Sequence, residues 1–172
     1  AGGGLVYGLE GVTHYALEDI AIMRALPNMT LAVPGDIKEA EAIAEASVSH
    51  QGPLYIRFGR DTDPIVHEKN FKFEFGKGII MNEGQDICLL ATGSMLAVSK
   101  NILPALKEKG FNPTLIRLPT IKPLDEKLIK ECGKKYKFIF SLEDHSIIGG
   151  LGGAVAEVLA ETGHAGKFKR LG

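Results

Sequence analysis

The chain has 172 residues, 45% of them hydrophobic, which suits one or two domains with an ordinary buried core. Twenty Lys and Arg side chains against 21 Asp and Glu leave a formal net charge of −1. That balance gives no electrostatic reason to expect a nucleic acid or an anionic membrane as partner, so any anionic ligand must be caught by one or two placed cations. No apolar run approaches the roughly 18 residues that span a bilayer, and no signal peptide is visible. Cys88 and Cys132 lack metal-like spacing and read as reduced thiols of a cytoplasmic protein. The chain opens AGGG without Met and stops at FKRLG, so both ends read as cut.

In chain order, the stretch YGLEGVTHYALEDIAIMRALPN (residues 7–28) places Glu10 and His14 among glycines, ahead of a helix at EDIAIMRALP. MTLAVP follows as a strand and DIKEAEAIAEASVSH as a helix, with Asp36 and Glu39 spaced as an N-cap and its reciprocal N3 partner. PLYIRF is a further strand bounded by Gly52-Pro53 and Gly59. Two strands and two helices are thin for an independent core, so this first unit is expected to lean on missing sequence or on a partner chain. Residues 61–74, DTDPIVHEKNFKFE, are polar and aperiodic and read as a linker between domains.

The second half is more regular. GKGIIM, NEGQ and DICLLAT suggest an antiparallel hairpin with a Gly-containing turn. MLAVSKNILPALKEKG has helical spacing, with a kink or break expected at Pro104 and a stop at Gly110. NPTLIRLP, LDEKLIKECGKKY, KFIFSLED and GGAVAEVLAET then alternate strand and helix. The order β-β-α-β-α-β-α predicts one small α/β domain over 75–172, with a mostly parallel sheet, one antiparallel edge strand, and another strand beginning as the chain ends.

Three residues carry candidate chemistry. His14 follows Gly11 and precedes a helix, where a helix N-terminus favours the neutral imidazole that both accepts and donates a proton near pH 7. Glu10 lies four residues earlier. Arg60, in RFGRDTDP, stands just past a strand end, where α/β sheets bind ligands and where a guanidinium suits a phosphate or carboxylate. Arg57 on the same strand reads as a structural ion pair.

Other features carry less. IIGGLGGAVAEVL resembles a dinucleotide fingerprint, but its third glycine position falls on Val155, and close packing of the helix start is the better reading. ATGSMLA offers amides at a helix N-terminus with no cation in the turn. Glu143, Asp144 and His145 could ligate a metal, but neighbours on a strand point to opposite faces, which favours a rim cluster at a domain or subunit interface. His50, His67 and His164 carry no signal.

EGVTHYALEDIAIMRALPNMTLAVPGD resembles the pyrimidine-binding domain of transketolases, and PLYIRFGR resembles the strand leading to their phosphate-binding arginine. GKGIIM through GGAVAEVLAET, including KPLDEKLIKE, resembles the transketolase C-terminal domain. The implied architecture is a partial thiamine-diphosphate pyrimidine-binding domain over 1–60, a linker over 61–74, and a three-layer α/β/α C-terminal domain over 75–172. His14 matches an active-site histidine near the aminopyrimidine and the substrate hydroxyls, and Arg60 matches the phosphate-binding arginine. Glu10 falls where transketolases carry an aspartate that contacts the C2 hydroxyl of the sugar; its extra methylene departs from the pattern. Val12 replaces a proline, and Tyr15 replaces a glutamine or histidine, as in split, two-chain prokaryotic enzymes.

The resemblance implies part of a cytoplasmic enzyme of carbohydrate metabolism, in the pentose phosphate pathway. It would transfer a two-carbon ketol unit between sugar phosphates with thiamine diphosphate and Mg²⁺. The glutamate that protonates the pyrimidine N1′, and the diphosphate and metal site, belong outside these residues. An N-terminal diphosphate-binding chain or domain is therefore the expected partner, with homodimerisation through the C-terminal domain. Alone, the chain is expected to bind neither cofactor and to be inactive. Deoxyxylulose-phosphate synthase, the beta subunit of 2-oxoacid dehydrogenases and a non-catalytic assembly module are the alternatives.

Overall fold

The elements follow the alternation of apolar runs and turn residues. The first stretch yields α1 (Asp19–Ala25), β1 (Thr30–Ala32), α2 (Ile37–Ser47) and β2 (Leu54–Ile56). The second yields β3 (Ile79–Asn82), β4 (Ile87–Ala91), α3 (Met95–Glu108), β5 (Pro113–Arg117), β6 (Thr120–Lys122), α4 (Glu126–Lys135), β7 (Phe138–Leu142), α5 (Leu151–Glu161) and β8 (Lys167–Leu171). These come from a computed structural model that describes residues 2–59, 64–67 and 71–172. Asp36 caps α2 as its spacing predicts, accepting from the Glu39 amide at 2.9 Å. Glu39 does not reach back to the Asp36 amide; its Oε2 accepts from Gly35 N at 2.7 Å. α3 runs through Pro104 to Glu108 as one helix rather than breaking there.

The larger sheet has the order β3-β5-β4-β7-β8, in which β3 alone is antiparallel to its neighbour. The antiparallel edge strand is as expected, but the hairpin is not: β3 pairs with β5, not with β4. The reason lies in β4, ICLLA, which is buried along its whole length. Such a continuous apolar run belongs at the centre of a parallel sheet, and β5 and β7 take both of its edges.

Along β4 the side chains alternate between two cores. Ile87, Leu89 and Ala91 pack with Leu96, Ala97 and Leu103 of α3. Cys88 and Leu90 pack with Ile129 and Cys132 of α4 and Leu151, Val155 and Val158 of α5. Helices therefore cover both faces and make three layers.

The first stretch does not form a separate core. Ile20, Leu31 and Val33 join the cluster of α4 and α5. The smaller sheet has the order β2-β1-β6, so its third strand comes from the second half of the chain and pairs antiparallel with β1. The support that this thin unit needs thus includes its own C-terminal half.

Candidate functional site

Gly4 and Ala16 form an isolated antiparallel bridge, with amide-to-carbonyl distances of 2.9 and 3.2 Å, that closes a loop over residues 5–15. Two 3-10 turns, Gly8–Glu10 and Val12–His14, meet at Gly11, whose φ of 80° lies in the region that favours glycine. This fold-back brings Glu10 Oε2 to 3.2 Å from His14 Nε2, with about half of each side chain open to solvent. On its other side the ring meets Thr13 Oγ1, 3.0 Å from Nδ1. A neutral imidazole satisfies both contacts when Nε2–H donates to Glu10 and the Thr13 hydroxyl donates to Nδ1. The Tyr7 ring stands 5.9 Å away, and the Tyr15 hydroxyl donates to Gly8 O at 2.5 Å.

The imidazole is not at the N-terminus of a long helix, as the sequence suggests. It ends a 3-10 turn five residues before α1, and its electrostatic partner is the Glu10 carboxylate. What the arrangement offers is an accessible, oriented imidazole whose proton a carboxylate can hold. Leu9 and Val12, the large apolar residues beside the pair, stand in solvent. Arg60 lies outside the described residues. Arg57 is buried and ion-paired with Asp19, Nε to Oδ2 at 2.9 Å, as expected of a structural pair.

In a sheet with this strand order, ligands bind beyond the carboxyl ends of β4 and β7, where the winding direction reverses. Here the chain fills that place itself. Glu143, just past β7, accepts from Leu151 N at 2.7 Å and Gly152 N at 2.8 Å, so the start of α5 already holds a carboxylate. A Cβ on Gly150 would come within 1.9 Å of that carboxylate, which accounts for the glycine without a dinucleotide. Burial raises the Glu143 pKa, and the two amides and nearby His145 and Arg57 offset part of that rise. His145 is also buried, with Nδ1 2.7 Å from Ser146 O and Nε2 3.9 Å from Asp19 Oδ1. The Glu143–His145 trio therefore lines the seam between the two halves of the chain. Among the described residues, no group of three or more His, Cys, Asp or Glu side chains is placed to hold a metal ion.

One histidine missed in the sequence is deeply engaged. His67 is buried, with Nδ1 2.9 Å from Asp36 Oδ2, Nε2 3.6 Å from Glu39 Oε1, and its ring 4.3 Å from that of Phe71. Glu39 in turn receives Arg117 Nε at 2.8 Å, and Arg117 is wholly buried. No local spacing announces this cluster, because its members come from α2, β5 and residue 67.

Comparison with known proteins finds two family matches along the chain. The transketolase pyrimidine-binding domain family matches residues 2–64, and the transketolase C-terminal domain family matches residues 76–172. A protein of Methanocaldococcus jannaschii named for a transketolase C-terminal section is 41% identical over 171 residues, covering 98% of this chain and 53% of its own length. A protein of Phocaeicola vulgatus, named as one of the subunits of an apulose-4-phosphate transketolase, is 34% identical over 160 residues, covering 92% of this chain and 51% of its own. The solved structure of a split-gene transketolase, described as an inactive β4 tetramer, is 37% identical with a TM-score of 0.89, covering 93% of this chain and 53% of that one. The chain thus spans about half the length of these relatives. With a pyrimidine-binding match, a C-terminal-domain match and the corresponding fold in one chain, the protein belongs to the transketolase family.

Proposed function

We propose that this chain supplies the substrate-orienting wall of a thiamine-diphosphate-dependent transketolase, which transfers a two-carbon ketol unit between sugar phosphates. The observation that carries the reading is the Glu10–His14 pair, 3.2 Å apart and open to solvent on a loop closed at its base. His14 hydrogen-bonds a substrate oxygen or moves its proton, and Glu10 holds the imidazole with Nε2 protonated and contacts the sugar hydroxyls. A positioned acid–base group of this kind is worth about 10²–10⁴-fold in rate. Arg60 is assigned to the phosphate of the substrate, on the family pattern.

The loop suits a wall that a partner completes: it is polar, exposed and flanked by the apolar Leu9 and Val12. Thiamine diphosphate supplies the carbanion chemistry when bound, and its diphosphate and Mg²⁺ are assigned to an N-terminal diphosphate-binding chain or domain. Exposed Leu9 and Val12 fit a surface that such a partner covers. We assign residues 1–60 to the end of the pyrimidine-binding domain, 61–74 to the connection and 75–172 to the C-terminal domain. Homodimerisation through that last domain and a cytoplasmic setting complete the proposal.

The test is an assay of the assembled enzyme with two substrate sets. A ketose phosphate with an aldose phosphate is expected to react, whereas pyruvate with glyceraldehyde phosphate, the set of deoxyxylulose-phosphate synthase, is not. The reverse preference would replace the reading with that synthase. Arg60→Ala should raise KM for phosphorylated sugars far more than for unphosphorylated ones. Equal effects on both would remove its assigned role.

A further inference from the structure

We infer that Arg57 is a positioning residue, whose one guanidinium fastens the base of the Glu10–His14 loop to the end of the strand that leads to Arg60. The inference rests on the proposed role of His14 as the group that meets the substrate.

Arg57 follows β2 and is only 6% exposed. Its Nε donates to Asp19 Oδ2 at 2.9 Å, and its Nη2 donates to Ala16 O at 2.6 Å and to Asp144 O at 2.8 Å. Ala16 is one half of the bridge that closes the loop, and Asp19 opens α1 directly after it. The other half of the bridge, Gly4, is held on the same side. Gly3 N donates to Phe58 O at 2.8 Å, and Leu5 N donates to Asp144 Oδ2 at 3.4 Å. Gly3 lies so close over the guanidinium that a Cβ there would come within 2.6 Å of Arg57 Cζ.

Both ends of the 5–15 loop therefore converge on one buried cation, while its tip stays in solvent. Tyr55, two residues earlier on β2, adds a hydroxyl bond to the same Asp19 oxygen at 3.0 Å. Within the tip, Tyr15 bonds Gly8, the two 3-10 turns are bonded internally, and His14 meets its neighbours. Where His14 sits is thus set from below. Only a guanidinium has the forked donors to satisfy a carboxylate and two carbonyls at once; a lysine ammonium reaches some of them as a point charge. Displacing a reacting group by about 1 Å can cost on the order of 10²-fold in rate.

The experiment has two readouts. Amide hydrogen exchange, followed by NMR on the full chain, is compared for the unsubstituted protein, Arg57→Met and Arg57→Lys. The Gly4 and Ala16 amides, both engaged in the bridge, should exchange at least about tenfold faster in Arg57→Met, with β4 and β5 amides unchanged and Arg57→Lys intermediate. In the assembled enzyme, kcat should fall in the same order. Gly4 and Ala16 rates within about twofold of the unsubstituted protein, or an equal acceleration across β4 and β5, would overturn the inference. Should Arg57→Met not fold, Arg57→Lys alone decides by the same selective change. Absence of ketol transfer in the unsubstituted assembly would instead overturn the role of His14, leaving the exchange rates to decide whether Arg57 holds the loop.

Discussion

Of the histidines that sit among carboxylates, His14 and His67 differ sharply in burial. His14 faces Glu10 on an open loop, with about half of each side chain in solvent. His67 faces Asp36 and Glu39 in the interior, on side chains with 1% exposure or none. In water a single contact costs little and contributes little, which suits the proposed role, in which the first pair trades its partner for a substrate. In the interior a charge must be answered, and most of these atoms are, although Glu39 Oε1 and His67 Nε2 face each other at 3.6 Å without a hydrogen bond. Asp36 accepts from the amides of Glu39, Val66 and His67, and Glu39 accepts from Gly35 N and from Arg117. The lesson is that residue types alone do not distinguish a site from a clasp; solvent access and the number of satisfied partners do.

The contrast can be broken or sharpened by substitution. Arg117→Met leaves Glu39 buried without its cation and should cost about 3–5 kcal/mol in denaturant unfolding. A loss under about 1 kcal/mol would place the buried cluster in the same class as a surface pair. Next comes acid. Burial pushes the Asp36 pKa up, but the bonds from Glu39, His67 and Val66 outweigh it and hold it at about 2, against an ordinary 3.8. A folded pKa below the unfolded one means stability that is present above about pH 4 and lost as pH falls through 2, on the order of 2 kcal/mol. Glu143, whose pKa is raised, acts with the opposite sign and at higher pH: its penalty is relieved as pH falls through the raised value. Unfolding measured from pH 5 to pH 2 should therefore show a steep acid limb that Asp36→Asn flattens; an unchanged limb would remove Asp36 from the clasp.

Smaller effects are expected at the open loop. His14→Ala should lower kcat of the assembled enzyme at least about tenfold, equivalent to ~1.4 kcal/mol, with the melting temperature preserved. An unchanged kcat would make His14 merely structural. Glu10→Gln should change the unfolding free energy by no more than about 0.5 kcal/mol. A larger loss would mean that the pair carries stability after all.

Much of the fold is legible in the chain because its signals are local. The Asp36–Glu39 spacing and the alternation of strands and helices after residue 75 both follow from periods of a few residues. The hairpin misreading has a physical cause: NEGQ is a good turn, yet β4 is claimed on both sides by parallel partners that no local turn reveals. β6 is three residues long and is a strand only because β1 offers an edge. At the site, His14 is legible because Glu10 and Thr13 lie within one turn of it. His67 is not, since Asp36 and Glu39 reach it across thirty-one and twenty-eight positions. Arg57 presents as an ordinary ion pair in sequence, and its convergence on Ala16, Asp19 and Asp144 exists only in three dimensions.

The most direct measurement is ketol transfer from a ketose phosphate to an aldose phosphate, with thiamine diphosphate and Mg²⁺, for this chain alone and after addition of the proposed diphosphate-binding N-terminal partner. Transfer is expected only when both chains are present. Transfer by this chain alone, or none from the complete mixture, would contradict it.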